Sequence, residues 1–327
     1  MERILAVGAG PAWRDPPLQI RSWVLLILLR PSVDRSALFI SVLFWCQREA
    51  SLAREKAAAS RRTPRGDFML IEVALNGGRA RAEHPNVPCS PSEIAAAAKE
   101  AVAAGAGAAH FHVRGADGRE SLDADDVARA VSAVRAAIPG IPFGVSTGLW
   151  MVRDARERHE KVAAWKAFPD FASVNFNEEG GIALAELLLA KGMGVEAGMG
   201  SVLAAEKFLE SRLAARCRWI LLEPEQQEMD GALAVVAKIE EMLRGAEIAL
   251  PIILHGVGRT AWELIDEAAR RGYDTRIGLE DVLTLPDGRV AKDNGELVTE
   301  AVKRAGRAAA ANRGACNLLR GRARERA

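Results

Sequence analysis

From Met69 onward the chain alternates short apolar runs with longer amphipathic stretches. The short runs hold four to seven residues, mostly aliphatic or Phe, the length and composition of buried strands. They predict strands over Met69–Leu75, Ala108–Val113, Ile141–Ser146, Phe171–Asn175, Gly194–Ala197, Arg218–Leu222, Pro251–Leu254 and Thr275–Leu279. Between them, apolar positions recur at helical spacing. Helices are predicted over Ser90–Ala104, Asp123–Ile138, Asp154–Phe168, Ile182–Lys191, Val202–Leu213, Gly231–Arg244, Thr260–Arg271 and Asn294–Ala309. The first opens on Ser90-Pro91-Ser92-Glu93, with proline at the first helical position and an acid in the first turn. Eight strand–helix units in about 240 residues are the count and length of an α/β (β/α)8 TIM barrel. An open doubly wound sheet normally has fewer strands and a Gly-rich first turn, which this chain lacks. No period of a helical repeat or propeller occurs.

The two ends have a different texture. Residues 1–67 hold eleven Lys and Arg against six Asp and Glu, and three of the seven tryptophans. Apolar stretches at Trp23–Leu29 and Ala37–Trp45 are separated by Arg30, Pro31, Asp34 and Arg35. That break rules out one apolar span of the roughly 20 residues a membrane helix needs. No signal-peptide pattern appears, and Gly8-Ala9-Gly10 is only a fragment of a phosphate-binding fingerprint. These residues read as a poorly structured extension ahead of the first strand, from a misassigned start; a membrane-surface segment is the alternative. The barrel is expected over 68–311, and the Arg-rich residues 312–327 as a disordered tail.

Composition narrows the function class. The 327 residues are 49% hydrophobic and 27% charged with a formal net charge of +1, so no basic field points to nucleic acid. Cys46, Cys89, Cys217 and Cys316 lack paired spacing and fit reduced thiols in a cytoplasmic protein. Cys89 and Cys217 are formal nucleophile candidates, but neither has a local signature.

The candidate chemistry begins at Ala109-His110-Phe111-His112-Val113-Arg114. Residues i and i+2 of a strand face the same way, so the two imidazoles stand side by side. Neutral imidazole suits Zn, Fe, Ni and Cu, although two hydrogen-bonded core histidines would produce the same pattern. In such barrels chemistry gathers at the carboxyl ends of the strands. Those ends carry Asn76-Gly77-Gly78-Arg79, His110 with His112 and Arg114, Ser146-Thr147-Gly148, Asn175, Glu196, Glu223, His255, and Arg276 with Glu280 and Asp281. Glu178-Glu179 and Glu223-Pro224-Glu225 are equally readable as solvated charges. Strands two and eight flank strand one in a closed barrel, which brings Glu280 toward the imidazoles. Two histidines and one carboxylate with open positions suit Zn(II) or non-haem Fe(II). The bland reading of Glu280 is an ion pair with Arg276.

These residues resemble the β-keto acid cleavage enzymes, whose best-known members cleave 3-keto-5-aminohexanoate. The resemblance covers about Leu70–Arg307. It rests on N-G-G-R with H-P-N-V-P, A-G-A-x-x-x-H-F-H-V-R, D-G-R-E-S-L, S-T-G, P-D-F-A-S-V-N-F, G-V-E-A-G, T-R-I-G-L-E-D and D-N-G-E-L-V. It implies a zinc-dependent condensation of a β-keto acid with acetyl-CoA, giving acetoacetate and a new acyl-CoA by a retro-Claisen route. By motif position, His110, His112 and Glu280 would be the zinc ligands and Asp281 the base. Ser146 would assist Asp281, Arg276 would position it or hold a carboxylate, and Glu196 would lie near the reacting carbonyls. Thr147 and Asn175 would line the substrate pocket. A cytoplasmic homo-oligomer such as a tetramer is also implied, with no nucleic-acid or membrane partner. Members acting on the amino-bearing substrate carry an acid at the end of the first strand, where this chain has Asn76-Gly77-Gly78-Arg79. Arg79 and Arg81, with Arg114, are therefore expected to favour an anionic or neutral tail. The alternatives are a metal-dependent aldolase or hydrolase that does not use CoA, and a non-catalytic metal- or ligand-binding barrel.

Overall fold

The computed structural model describes residues 69–306. The expected extension and tail, with Cys46 and Cys316, lie outside the described residues. Eight parallel strands close in sequence order: β1 (Ile71–Ala74), β2 (Ala108–Phe111), β3 (Phe143–Ser146), β4 (Phe171–Asn175), β5 (Gly194–Met199), β6 (Trp219–Leu222), β7 (Ile252–Leu254) and β8 (Asp274–Ile277). Helices follow as α1 (Pro91–Ala103), α2 (Ala124–Ala137), α3 (Ala155–Ala163), α4 (Gly181–Ala190), α5 (Val202–Ser211), α6 (Met229–Gly245), α7 (Ala261–Arg271) and α8 (294–306). This is a TIM barrel.

Most strands are shorter than the apolar runs that announce them. The β1–β2 ladder stops at the pair Ala74–His110, and β1 meets β8 as far as Val73–Ile277. Beyond those rungs Asn76 and His112 exchange ladder bonds for side-chain bonds at the barrel mouth, while the Glu280 N–H still donates to the Ala74 carbonyl at 3.2 Å. Helix α3 ends five residues before the predicted Phe168. Trp165 turns inward, its indole N–H donating to the Leu122 carbonyl at 2.9 Å, and Pro169 disfavours helical backbone at Phe168. The proline and the acid expected at the start of α1 are in place, and Ser90 and Glu93 also form a capping box, each side chain bonding the other's backbone N–H. Asp123 sits at the N-cap position of α2, but its carboxylate pairs with Lys161 instead of capping.

Strand parity sorts two kinds of burial. Val73, Phe111, Val145, Val174, Val195, Ile220, Leu254 and Ile277 belong to the continuous core between sheet and helices. The opposite parity packs a small interior cluster of Ala108, Phe171, Trp219, Leu221 and Ile253. Small residues make room for its rings: a Cβ at Gly144 would lie 2.1 Å from the Phe171 ring. Beside that floor, inward parity places charged residues, with Glu72 registered on Arg276 and Glu196 on Trp219.

Candidate active site

His110 and His112 are buried at the end of β2 with ring centroids 5.4 Å apart. Glu280 reaches both. Its Oε2 lies 3.9 Å from His110 Nε2, and its Oε1 lies 3.5 Å from His112 Nε2. Ligand atoms on a tetrahedral ion with bonds near 2.1 Å stand about 3.4 Å apart. The two Glu280 contacts are near that spacing, ligand atoms of all three side chains lie within 4.8 Å of one another, and Glu280 Oε2 is buried without a hydrogen-bond partner. The donor set therefore fits a divalent cation with positions left for substrate.

Backbone demands around this cluster account for several motif residues. The Asn76 side chain acts as one more rung: its Oδ1 accepts from the His112 N–H at 2.8 Å and its Nδ2 donates to the His112 carbonyl at 3.0 Å. Gly77 has φ +51, and a Cβ there would lie 2.5 Å from the Glu280 side chain. A Cβ at Gly278 would lie 1.8 Å from the Ala74 carbonyl oxygen, so only glycine lets β8 pass that close to β1. Asn294, at the start of α8, accepts from the Leu279 N–H and donates to the Leu75 carbonyl, both at 2.9 Å. Arg79 donates to the Glu280 carbonyl at 3.1 Å.

Arg276 gathers the carboxylates. Its Nη2 donates to Asp281 Oδ1 at 2.7 Å and to Glu280 Oε1 at 3.0 Å, and lies 3.4 Å from Glu223 Oε2. The ion pair expected as the bland reading of Glu280 is thus present together with the approach to the histidines. Asp281 is fully buried and its Oδ2 has no partner. Burial pushes its carboxyl up, against the pull of Arg276. Burial also raises Glu280, but Arg276 and the two histidines outweigh it and hold the carboxyl well below the usual range. His255, from the end of β7, lies 2.8 Å from Glu223 and 3.6 Å from Asp281.

The two histidines hold protons differently. Burial pushes His110 down to about 3, which keeps it neutral. Burial also disfavours charge on His112, but Glu280 and Glu120 outweigh it and raise the ring to about 9. Glu120, quoted only as a letter of D-G-R-E-S-L, hydrogen-bonds His112 Nδ1. That residue went unassigned because it belongs to no strand end.

Several expected site residues are engaged with partners inside the protein. Glu196 lies against His110 Nδ1, 3.7 Å away, on the side of the ring remote from the Nε2 that faces Glu280. The Trp219 indole donates to its other oxygen at 2.5 Å. Glu72, also fully buried, lies near Glu196 and His110. Burial, reinforced by the Glu196 charge, raises its carboxyl well above the ordinary value. Its signal was available as the lone acid in the first apolar run.

Ser146 ends β3 on the inward side, but among the described residues no hydrogen bond links it to Asp281. Thr147 donates to the Ser173 carbonyl. Asn175 donates to Glu178 at 3.0 Å, and Glu178 pairs with the buried Arg158, so it is not a solvated charge. Arg114 spends its guanidinium on the carbonyls of Gly77 and Arg79, clamping the loop after β1. Arg81 is drawn to Glu93, and Arg79 also pairs with Glu83 at 2.9 Å. The basic groups expected to greet a substrate tail are thus engaged within the protein. Burial pushes the Cys217 thiol up to about 12, which argues against a nucleophile there.

Comparison with known proteins agrees with the sequence resemblance. The family model described as beta-keto acid cleavage enzyme matches residues 69–183 and 226–313. A 3-keto-5-aminohexanoate cleavage enzyme of Fusobacterium nucleatum is 27% identical over 249 residues, covering 72% of this chain and 90% of that protein. The protein of that name from Acetoanaerobium sticklandii is 26% identical over 247 residues, with the same coverage of 72% and 90%. Among solved structures, a ternary complex of ObcA with a C4-CoA adduct and oxalate has a TM-score of 0.53 at 20% identity, covering 66% of this chain. A binary complex of ObcA with oxaloacetate has a TM-score of 0.52 at 19% identity, covering 69% of this chain and 66% of that one. This chain spans 62% of the ObcA chain in the ternary complex, and the likeness concerns the fold.

Proposed function

This chain belongs to the beta-keto acid cleavage enzyme family, and from that premise we propose that it condenses a β-keto acid with acetyl-CoA in a zinc-dependent reaction. The products are acetoacetate and a new acyl-CoA. The observation that carries the reading is the convergence of His110, His112 and Glu280, with the unpartnered Asp281 Oδ2 one residue beyond the third ligand. A divalent ion held there would supply Lewis acidity toward the carboxylate and keto oxygens of the substrate.

The remaining chemistry belongs to the protein. Carbon acids between two carbonyls are weak, so a base must stand ready at the carbon. Asp281 Oδ2 takes that proton while Arg276 holds Oδ1 and fixes the carboxylate plane. Burial of Asp281 favours its protonated form and so strengthens it as an acceptor. Ser146 contributes a hydroxyl to the mouth, with Thr147 and Asn175 lining the strands beside it. Arg79 steadies Glu280 through its carbonyl, and Arg114 shapes the loop that carries Arg79.

No acid stands at the end of β1, which supports an anionic or neutral tail over an ammonium. The family match omits residues 184–225, the part holding β5, β6 and Glu223.

Metal content of the purified protein, measured beside acetoacetate release from a panel of β-keto acids with acetyl-CoA, tests the reading. Expected are bound zinc, acetoacetate only when acetyl-CoA is present, and a loss of about 100-fold or more in kcat for Asp281→Asn with metal retained. Turnover without acetyl-CoA would instead make the protein an aldolase or hydrolase. A clear preference for the amino-bearing substrate would refute the assignment of the tail.

A further inference from the structure

Apart from Arg114, the hairpin after β2 plays no part in the reaction described above, yet it leans on a metal-ligand candidate. Arg114 and Glu120 pair antiparallel across it. Inside, the Gly115 N–H donates to the Arg119 carbonyl at 2.8 Å and the Gly118 N–H to the Gly115 carbonyl at 3.0 Å. Gly118 takes φ +77, a value that favours glycine, and lets the turn close. The chain thereby returns Glu120 to the His112 ring. Glu120 Oε1 meets His112 Nδ1, the nitrogen remote from Glu280.

A third group completes the arrangement. The Trp150 indole N–H donates to the Glu120 carboxylate, 3.3 and 3.2 Å from its two oxygens. The indole also stacks on the His112 ring, with centroids 6.1 Å apart and planes 29° apart. A Cβ at Gly148 would lie 2.2 Å from this indole, so the turn after β3 needs glycine to admit it. Trp150 is nevertheless 57% exposed. Its own burial gives little reason for an indole here, whereas its contacts with Glu120 and His112 do.

Resting on the metal centre of the proposed function, we infer that Glu120 is a positioning residue for the metal, acting through His112 with Trp150 holding its carboxylate. By accepting from His112 Nδ1–H, Glu120 fixes the tautomer that leaves the Nε2 lone pair facing Glu280. It also orients the ring and increases its donor strength, as carboxylate partners of ligating histidines do. His110 has a looser counterpart, since Glu196 stands 3.7 Å from its Nδ1. The hairpin therefore makes His112 the more firmly held of the two nitrogen ligands.

The test strips the full-length protein of metal and measures Co(II) and Zn(II) dissociation constants by competition with a chromogenic chelator. Wild type, Glu120→Ala, Glu120→Gln and Trp150→Phe are compared, each with its melting temperature. Glu120→Ala is expected to weaken both ions by about 10–100-fold. Glu120→Gln, which keeps an acceptor without the charge, is expected to weaken them by about tenfold. Trp150→Phe keeps the stack, loses the N–H, and is expected to show a smaller loss. If Glu120→Ala does not fold, Glu120→Gln decides: a constant within about twofold of wild type, below the usual effect of such partners, overturns the inference. A lower melting temperature with unchanged dissociation constants would make Glu120 a structural residue and overturns it equally. A wild-type protein that binds neither ion would overturn the metal centre itself, and this role with it.

Discussion

The charge of His112 depends on whether an ion is present. Without metal it is held protonated by Glu280 and Glu120, up to about 9, so a proton stands where the ion would bind. Binding must expel that proton, because only neutral imidazole is a ligand. Metal affinity is therefore expected to rise about tenfold per pH unit below pH 9, which chelator competition at pH 6, 7 and 8 will show. The stability of the metal-free protein has the opposite slope. A raised folded value contributes stability that is full below the unfolded value of about 6.5 and is lost as pH climbs through about 9. Melting of the stripped protein should fall across that window. His110, pushed down to about 3 by burial, works the other way and adds stability as pH rises through its unfolded value of about 6.5, so the fall is read cleanly only above about pH 7.5.

Strand ends and their loops form one fabric around the site. β1 and β8 meet where Gly278 lies against the Ala74 carbonyl, and Asn294 of α8 bridges Leu75 and Leu279 just beyond. The loop after β1 is pinned to the loop before α8 by His84 Nε2 at the Ala291 carbonyl, 2.8 Å, and by Asn86 donating to the Lys292 carbonyl at 2.8 Å. Substituting Gly278→Ala sets a methyl 1.8 Å from a backbone oxygen, with no flexible side chain to yield. Separating the two strands is expected to cost about 3 kcal/mol. For a domain of this size that is a drop of about 9 °C in melting temperature. Because Glu280 follows two residues later, metal affinity should fall in the same variant. Calorimetry and chelator competition measure the two effects separately.

At the scale of the whole molecule, the described barrel accommodates the chain segments that the family model matches within it, and among the described residues no helix is long and apolar enough to cross a membrane. The family match itself begins at residue 69. We propose that a chain beginning at Met69 folds and retains the activity of the full chain. The measurement is its melting curve and acetoacetate release beside those of the full-length protein, with light scattering to read whether both assemble as the expected homo-oligomer. Insolubility or loss of activity on truncation would give residues 1–67 a structural or functional part.

Alternating apolar runs and helical periods were sufficient to determine the barrel, because each strand buries one face against helices and leaves a period that neighbours in sequence report. The identity of the candidate ligands was legible for a related reason. His110 and His112 are two apart on one strand, and Glu280 follows a strand that must flank β1 once the sheet closes. Contacts between side chains from distant segments were not legible. Only the folded chain turned Arg114 inward to loop carbonyls, paired Arg81 with Glu93 at the surface, placed Glu196 behind the His110 ring, and brought Glu120 with Trp150 to His112. A period records which face a residue takes, whereas hydrogen-bond partners depend on where loops without any period finally lie.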